Sequence, residues 1–267
     1  MEKLEELLLI GNQKGDLEAS NLTLCVVDFI NTLDEWEFVD KLARALYVHT
    51  TSHGVRVMTK NYIKIIGSSS GMPVTFSSEN IKMVIHLPEL NKSDVKLINA
   101  VSIIAELHYR NIQKHSEILH FALYDALTGA YTRSAGMKLI ESAFEGVKRT
   151  GRKAFIAFFD IDNLKKVNDT YGHLKGDEML VKFAQTCLNN IRKSDILVRY
   201  GGDEFILFID SDNPRALMDR IKKSCEVQFS YGIVQIKNED SISELINSVD
   251  KLMYHMKSKK KREQECN

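Results

Sequence analysis

Three carboxylates and a pair of glycines are the residues of this chain best equipped for chemistry. Asp203 and Glu204 follow directly on Gly201-Gly202 in the stretch Arg199-Tyr200-Gly201-Gly202-Asp203-Glu204-Phe205. The runs on either side, Ile196 to Val198 and Phe205 to Ile209, are short, β-branched and aromatic. They predict two strands of a hairpin with Gly201-Gly202 as its tight turn. Adjacent carboxylates at such a turn repel each other unless a cation joins them. Glycines beside them leave room for backbone, phosphate and metal to come close. An ordinary acidic hairpin fits the same residues. The third carboxylate, Asp160, stands with Ile161 and Asp162 at the end of the apolar run Phe155 to Phe159. Carboxylates just after a buried strand lie at the sheet edge, where ligands of α/β folds collect. A helix N-cap is the competing role for Asp162 or Asn163, but Asp160, at the strand end itself, is less open to it.

Eight residues beyond Asp160 comes Asn168-Asp169-Thr170-Tyr171-Gly172-His173, then Gly176-Asp177. This polar, glycine-punctuated segment is a ligand loop or an ordinary loop. An amide and a carboxylate together can read a purine: Asp accepts from N1–H and N2–H₂ of guanine, and Asn pairs with O6 and N7.

These groups need a scaffold, and the second half of the chain supplies alternating elements. Helical spacing spans Ser134 to Arg149, about Gly176 to Ile191, Pro214 to Ser224 and Ile242 to Lys257. Between them fall the apolar strand Ala154 to Ile161, the hairpin and the strand Val227 to Ile236. Strands interleaved with crossover helices imply a central sheet buried by helices. Before this half, Ser93 to Tyr124 predicts one long helix. Ile98, Val101, Ala105, Ile112, Leu119 and Ala122 lie on a near-heptad stripe, with His108 and His115 at intervening positions. Such a stripe packs on its own domain or pairs with a second copy; a parallel dimer helix joining two domains is favoured, and seam histidines could make the pairing pH-sensitive. The first part is a small α+β domain. Residues 20 to 50 look helical, Val55 to Met58, Tyr62 to Ile66 and Lys82 to Ile85 read as strands, and Gly67 to Gly71 is a loop.

Composition excludes several classes. A length of 267 residues suggests two domains, and 44% hydrophobic with 27% charged residues is the profile of a globular protein. Lys plus Arg equals Asp plus Glu at 36 each, so no global field draws nucleic acid or a membrane surface. The basic cluster Lys257 to Arg262 reads as a solvated tail. Cys25, Cys187, Cys225 and Cys266 are scattered, without metal-ligand spacing, and fit reduced positions. No apolar run approaches the roughly 18 residues of a membrane span, and Met1 to Glu6 is acidic rather than a signal peptide. A cytoplasmic protein is expected.

In several places at once the chain resembles the GGDEF domain of diguanylate cyclases. Asp125-Ala126-Leu127-Thr128-Gly129 is similar to the family's opening D-x-L-T-G. Asp160-Ile161-Asp162-Asn163-Leu164-Lys165 with Asn168-Asp169 follows its D-x-D-x-F-K-x-x-N-D run, and Gly172-His173 with Gly176-Asp177 its G-H-x-x-G-D. Gly201 to Phe205 carries the signature itself. Ser230-Tyr231-Gly232-Ile233 and Asp250, Tyr254 and Lys257 match the late strand and last helix. The likeness runs from about Tyr124 to Arg262.

The resemblance implies an α/β (α+β) fold with a central mixed sheet flanked by helices. It implies synthesis of cyclic di-GMP: the 3′-hydroxyl of one GTP attacks the α-phosphorus of another, and pyrophosphate leaves. Asp203, Glu204 and Lys165 would be catalytic. Asp160, the carbonyl of Ile161, Asp203 and Glu204 would hold two Mg²⁺ ions, with Mn²⁺ as a substitute. Asn168 and Asp177 would read guanine, and Leu164, Lys165, Lys257 and Lys261 would complete the substrate site. One domain holds one GTP, so two must meet in a homodimer. Arg192-Lys193-Ser194-Asp195 is similar to the R-x-x-D product-inhibition motif, so Arg192 and Asp195 would bind cyclic di-GMP as feedback inhibitor; a helix-end salt bridge is the plainer role.

The chain also departs from the family pattern. Ala130 and Thr132 replace the usual Leu and Asn of the opening motif, Asn163 a common hydrophobic residue, and Lys260-Lys261 the usual Gly-Arg. Lysine lacks the fork of arginine, so phosphate binding there would weaken or shift to Arg262. With the lead-in Thr32-Leu33-Asp34-Glu35, the helix to Leu46, a strand pair and a closing helix entered at Asn91-Lys92-Ser93-Asp94, residues 1–92 more loosely resemble a GAF-type sensor binding an unidentified small ligand; a PAS-like or plain dimerisation domain fits too. The expected division is therefore 1–92 sensor, 93–124 signalling helix and 125–267 cyclase domain. Two other functions compete. A silent cyclic di-GMP receptor would need no metal carboxylates, and a cyclase making mixed GMP–AMP product is disfavoured by Asp177.

Overall fold

The computed structural model describes residues 16–237 and 241–265, with side chains from 21–237 and 241–258. Met1 to Glu6, the side chains of Lys260, Lys261 and Arg262, and Cys266 lie outside the described residues. The chain divides into two compact units, Met1–Ile118 and Leu119–Asn267.

The first unit opens with helices α1 (Asp16–Ile30) and α2 (Glu35–His49). The single helical span expected over 20 to 50 is thus broken at residues 31–34. Asp34 starts α2 by accepting a hydrogen bond from the Glu37 N–H at 2.8 Å, which satisfies one of the orphan donors of a helix start. Strands β1 (Gly54–Met58), β2 (Ile63–Gly67), β3 (Met72–Ser77) and β4 (Lys82–Leu87) form an antiparallel sheet in the order β2-β1-β4-β3. The unpredicted strand is β3. It contains Pro73, which sits on a sheet edge because it has no N–H to donate to a ladder. Helix α3 (Lys92–Leu123) follows, close to the expected span. Ile98, Val101, Ala105, Tyr109 and Ile112 on α3 bury against Phe29, Phe38, Leu42, Val57 and Ile85. The stripe as far as Ile112 therefore packs inside its own unit. Ile103, Leu107, Ile118 and Phe121 remain exposed.

His108 is likewise committed to this core. Its Nε2 donates to the Thr32 carbonyl at 2.8 Å, and its ring lies 5.6 Å from Phe38 and 6.4 Å from Phe29. Burial holds the imidazole below its ordinary pKa, and the Thr32 bond only partly opposes this. As pH falls, the unfolded chain takes up the proton before the folded one does. The folded state therefore loses stability from about pH 6.5 downward, by at most about 1.4 kcal/mol per pH unit from this group. Urea unfolding at pH 7.5 and 5.5 should show a smaller loss for His108→Gln, which keeps a donor but does not titrate; equal losses would refute the assignment.

The second unit carries strands β5 (Tyr131–Thr132), β6 (Phe155–Ile161), β7 (Ile196–Arg199), β8 (Glu204–Ile209) and β9 (Phe229–Gln235). Their order is β5-β7-β8-β6-β9, with β5 parallel to β7 and the other pairs antiparallel, so the sheet is mixed. Both of its faces are covered. Ala157, Phe159, Phe205 and Leu207 pack under α6 (His173–Asn190) and α7 (Pro214–Ser224). Ile156, Phe158, Ile206 and Phe208 pack under α4 (Arg133–Thr150) and α8 (Ile242–Glu265). Coverage on both sides is why β6 reads as an unbroken apolar run. Thr132 caps α4, accepting from Ala135 N–H at 3.4 Å, so the departure from the family's Asn keeps a capping oxygen.

Candidate functional site

The interior strand β6, between β8 and β9, carries Asp160 close to its C-terminal end. Across the ladders Asp160 faces Glu204 of β8 on one side and Ser230 of β9 on the other. Like charges directly opposite each other on neighbouring strands destabilise the pairing, and Asp160 helps to raise the Glu204 pKa here. Fully buried Phe159 and Phe205, paired next to them, each contribute about 1.5–3 kcal/mol and hold both strands in register. Asp160 is only 7% exposed. Its Oδ1 accepts from Lys257 Nζ of α8 at 2.5 Å, and neighbouring Asp162 accepts from Ser230 Oγ at 2.7 Å.

The hairpin forms as expected, but its connection is four residues, Tyr200 to Asp203, rather than a two-residue Gly-Gly turn. Tyr200 and Gly201 both donate their N–H groups to the Glu204 carbonyl, at 2.8 and 3.2 Å. The Asp203 carbonyl accepts from Ile161 N–H at 3.1 Å, which ties the loop to the end of β6. A methyl group on Gly201 would fall 2.4 Å from Glu204 Oε2, so the missing side chain makes room for this carboxylate. Nothing lies within 4 Å of the corresponding position on Gly202.

Among the described residues, burial and neighbouring carboxylates outweigh the positive charge here. Asp160 is pushed above the usual carboxylate range by burial, with Lys257 working against the shift and Asp203 and Asp162 adding to it. Glu204 is also pushed up, first by burial and then by Asp203, Asp160 and Asp250; the Arg133 guanidinium partly offsets this. Hard carboxylate oxygens crowded in this way suit a hard divalent cation, and in donor chemistry Asp160, Asp203, Glu204 and the Ile161 carbonyl fit one. Among the described residues, no group of three or more His, Cys, Asp or Glu side chains is drawn together in ligand geometry. Lys257 engages Asp160, and Glu204 lies over Gly201.

Asn168 lies on a helix, which corrects the expected loop, and Asp177 falls in the helix expected from about Gly176. Asn168 is on α5 (Leu164–Tyr171), and Gly176 and Asp177 fall in the first turns of α6, with Gly172 as the corner between the two helices. Gly172 has φ 83°, a left-handed conformation that only glycine adopts without cost. The Asn168 amide packs onto Gly176, where a methyl group would sit 1.9 Å from Oδ1. That Oδ1 is buried without a hydrogen-bond partner among the described residues, an acceptor that a ligand could satisfy. Leu164 is buried at the start of α5, while Lys165 is exposed.

Arg192 and Asp195 lie at the far end of β7 from the glycine turn, roughly 13 Å away for four strand residues. Asp195 is 8% exposed and accepts from the N–H groups of Arg192 and Asp210, both at 2.9 Å. It braces two chain segments instead of pairing with the Arg192 guanidinium. Exposed Arg192 lines a hollow of about 240 Å³ with Ser211, Asn213 and Arg220.

Two further arginines hold the turn, and sequence reasoning assigned neither a role. Arg199 NH1 reaches both oxygens of Asp125, at 3.0 and 3.2 Å, while its NH2 donates to the Gly202 carbonyl at 2.9 Å. Arg133 stacks 4.0 Å above the Tyr200 ring and donates to its hydroxyl at 3.0 Å. The available clue was an arginine immediately before Tyr-Gly-Gly.

Residues 122–263, more than half of the chain, match the family described as "Diguanylate cyclase, GGDEF domain". A "Probable diguanylate cyclase DgcJ" of Escherichia coli is 32% identical over 161 residues, which is 53% of this chain and 32% of that protein. "Diguanylate cyclase DgcS" of Shewanella oneidensis is 28% identical over 159 residues, covering 55% of this chain and 54% of that one. The chain thus spans between a third and about half of these curated relatives. For the fold, the coiled coil and GGDEF domain of DgcB from Caulobacter crescentus, solved with c-di-GMP, superposes at a TM-score of 0.52. That likeness has 20% identity over 61% of this chain and 93% of that one.

Proposed function

The chain belongs to the GGDEF domain family of diguanylate cyclases, and from that premise we propose that it condenses two GTP into cyclic di-GMP and two pyrophosphate. The observation that carries this is the register that sets Asp160 of β6 opposite Glu204 of β8, with Asp203 next to Glu204 in the chain and Lys257 against Asp160. Asp160, Asp203, Glu204 and the Ile161 carbonyl would hold two divalent cations, Mg²⁺ with Mn²⁺ as a substitute. Bound there, the cations supply Lewis acidity that lowers the pKa of the 3′-hydroxyl and neutralises charge on pyrophosphate.

The chain's own residues do the positioning, which dominates phosphoryl-type transfer. Asn168 and Asp177 would read the guanine edge from their helix corner, with Leu164 beneath. Lys165 and Lys257 would take triphosphate oxygens, and Lys261, outside the described side chains, would join them. Arg199 acts as a positioning residue, since it fixes the Gly202 carbonyl from the opening Asp125.

Each domain would offer one GTP, so catalysis would require a homodimer. The exposed Ile103, Leu107, Ile118 and Phe121 of α3 are apolar surface suited to a second copy of this helix. The first unit would act as a sensor, GAF-like in its role, for an unidentified small ligand. Arg192, with Asp195 bracing its loop, would bind the product and limit turnover. No described helix is long and apolar enough to cross a membrane; a cytoplasmic location is part of the proposal.

Incubation with GTP, ATP and Mg²⁺, with identification of the dinucleotide, tests this directly. Cyclic di-GMP is expected. A mixed GMP–AMP product would overturn the guanine assignment. No dinucleotide, together with binding of added cyclic di-GMP, would mark a receptor instead. Arg192→Ala should keep the initial rate and shift the inhibition curve at least tenfold towards higher product; an unmoved curve would remove the product site.

A further inference from the structure

Lys257 is joined to the acidic cluster in an unusual way. Its helix is anchored one turn earlier by Met253, 4% exposed, and further back by Val249 and Leu245 in the core. From this fixed base the lysine reaches Asp160 Oδ1 at 2.5 Å. The lysine side chain is 41% exposed, while that of Asp160 is only 10% exposed. A flexible, half-solvated ammonium therefore reaches down to a buried carboxylate, and it can withdraw into solvent without disturbing the core.

The contact matters because a carboxylate oxygen engaged by an ammonium is less available to a metal, and the ammonium charge repels the metal as well. A triphosphate changes both terms at once, bringing the cation in already paired with phosphate oxygens and offering the lysine a more highly charged anion.

Resting on the cyclase reading above, we propose that Lys257 is a stand-in cation. In the nucleotide-free protein it occupies Asp160 and holds free metal off the site, and it leaves Asp160 for the triphosphate when a metal–nucleotide complex enters. The device makes metal binding depend on nucleotide. It also keeps the crowded carboxylates compensated between turnovers.

Mn²⁺ binding, followed by loss of the free-ion electron paramagnetic resonance signal, tests this without relying on catalysis. The full chain and Lys257→Met are titrated with Mn²⁺ alone and with Mn²⁺ plus a GTP analogue bridged by methylene between the α and β phosphorus. Without nucleotide, Lys257→Met should bind Mn²⁺ roughly tenfold more tightly than wild type. With the analogue it should bind the complex roughly tenfold more weakly. Adding Asp160→Asn to Lys257→Met should abolish the nucleotide-free gain. Lys257→Gln serves as a second uncharged variant should the methionine variant fold poorly, and Lys257→Arg should stay near wild type. Equal or weaker Mn²⁺ binding by the uncharged variants without nucleotide would overturn the stand-in role, as would a gain that survives Asp160→Asn. If the protein bound no Mn²⁺ even with the analogue, the metal-dependent cyclase reading itself would fail. Nucleotide-dependent Mn²⁺ binding without the gain would sink only the stand-in.

Discussion

Asp203→Asn is expected to lower cyclic di-GMP synthesis at least about a thousandfold, the scale of losing a preorganised electrostatic group at a phosphoryl transfer centre. The replacement keeps the size of the side chain and leaves the backbone alone, so the Asp203 carbonyl still accepts from Ile161 N–H. What disappears is one negative charge beside Glu204. That charge helps to raise the Glu204 pKa, so its removal should leave thermal stability unchanged or slightly higher. Lost turnover with a retained or improved melting temperature separates a role in chemistry from one in folding. Pyrophosphate release measured alongside thermal unfolding gives both readouts. Wild-type turnover in the variant would show that Asp203 holds no essential cation.

Much of this site was legible along the chain because its parts are short and local. The all-apolar run from Phe155 to Phe159 marks a strand covered on both faces, and Asp160 at its end is an obvious exception to that pattern. What was not legible depends on distance or on competing local preference. Lys257 meets Asp160 across 97 positions, and no spacing rule reports such a pair. Pro73 concealed an edge strand, and apolar periodicity running past Thr32 concealed the break that Asp34 caps. Gly172, His173 and Gly176 suggested a loop. One left-handed glycine in fact suffices to turn α5 into α6, and Gly176 is present to accept the Asn168 side chain. The Arg192 to Asp195 motif was read for its side chains alone, yet the Asp195 carboxylate is engaged by two backbone N–H groups.

The two glycines of the turn should behave differently, which their adjacency in sequence does not suggest. A methyl group on Gly201 would lie 2.4 Å from Glu204 Oε2 and 3.3 Å from its Cδ. The obstructing atoms belong to the end of a flexible side chain, so the carboxylate can swing away at little cost to the fold. Gly201 is not among the residues with positive φ, so alanine adds no backbone strain. Gly201→Ala should therefore fold with a melting temperature within a few degrees of wild type. Its turnover should fall roughly a hundredfold, because a metal or hydroxyl partner displaced by about 1 Å loses that order of rate. Gly202 has open space where its methyl would be, so Gly202→Ala leaves Glu204 in place. Any loss there must come from crowding the incoming nucleotide, and it should appear in KM while kcat holds. Steady-state kinetics on the two variants decide the matter: equal kcat losses would show that the turn acts as a whole, and that Glu204 does not depend on the space above Gly201.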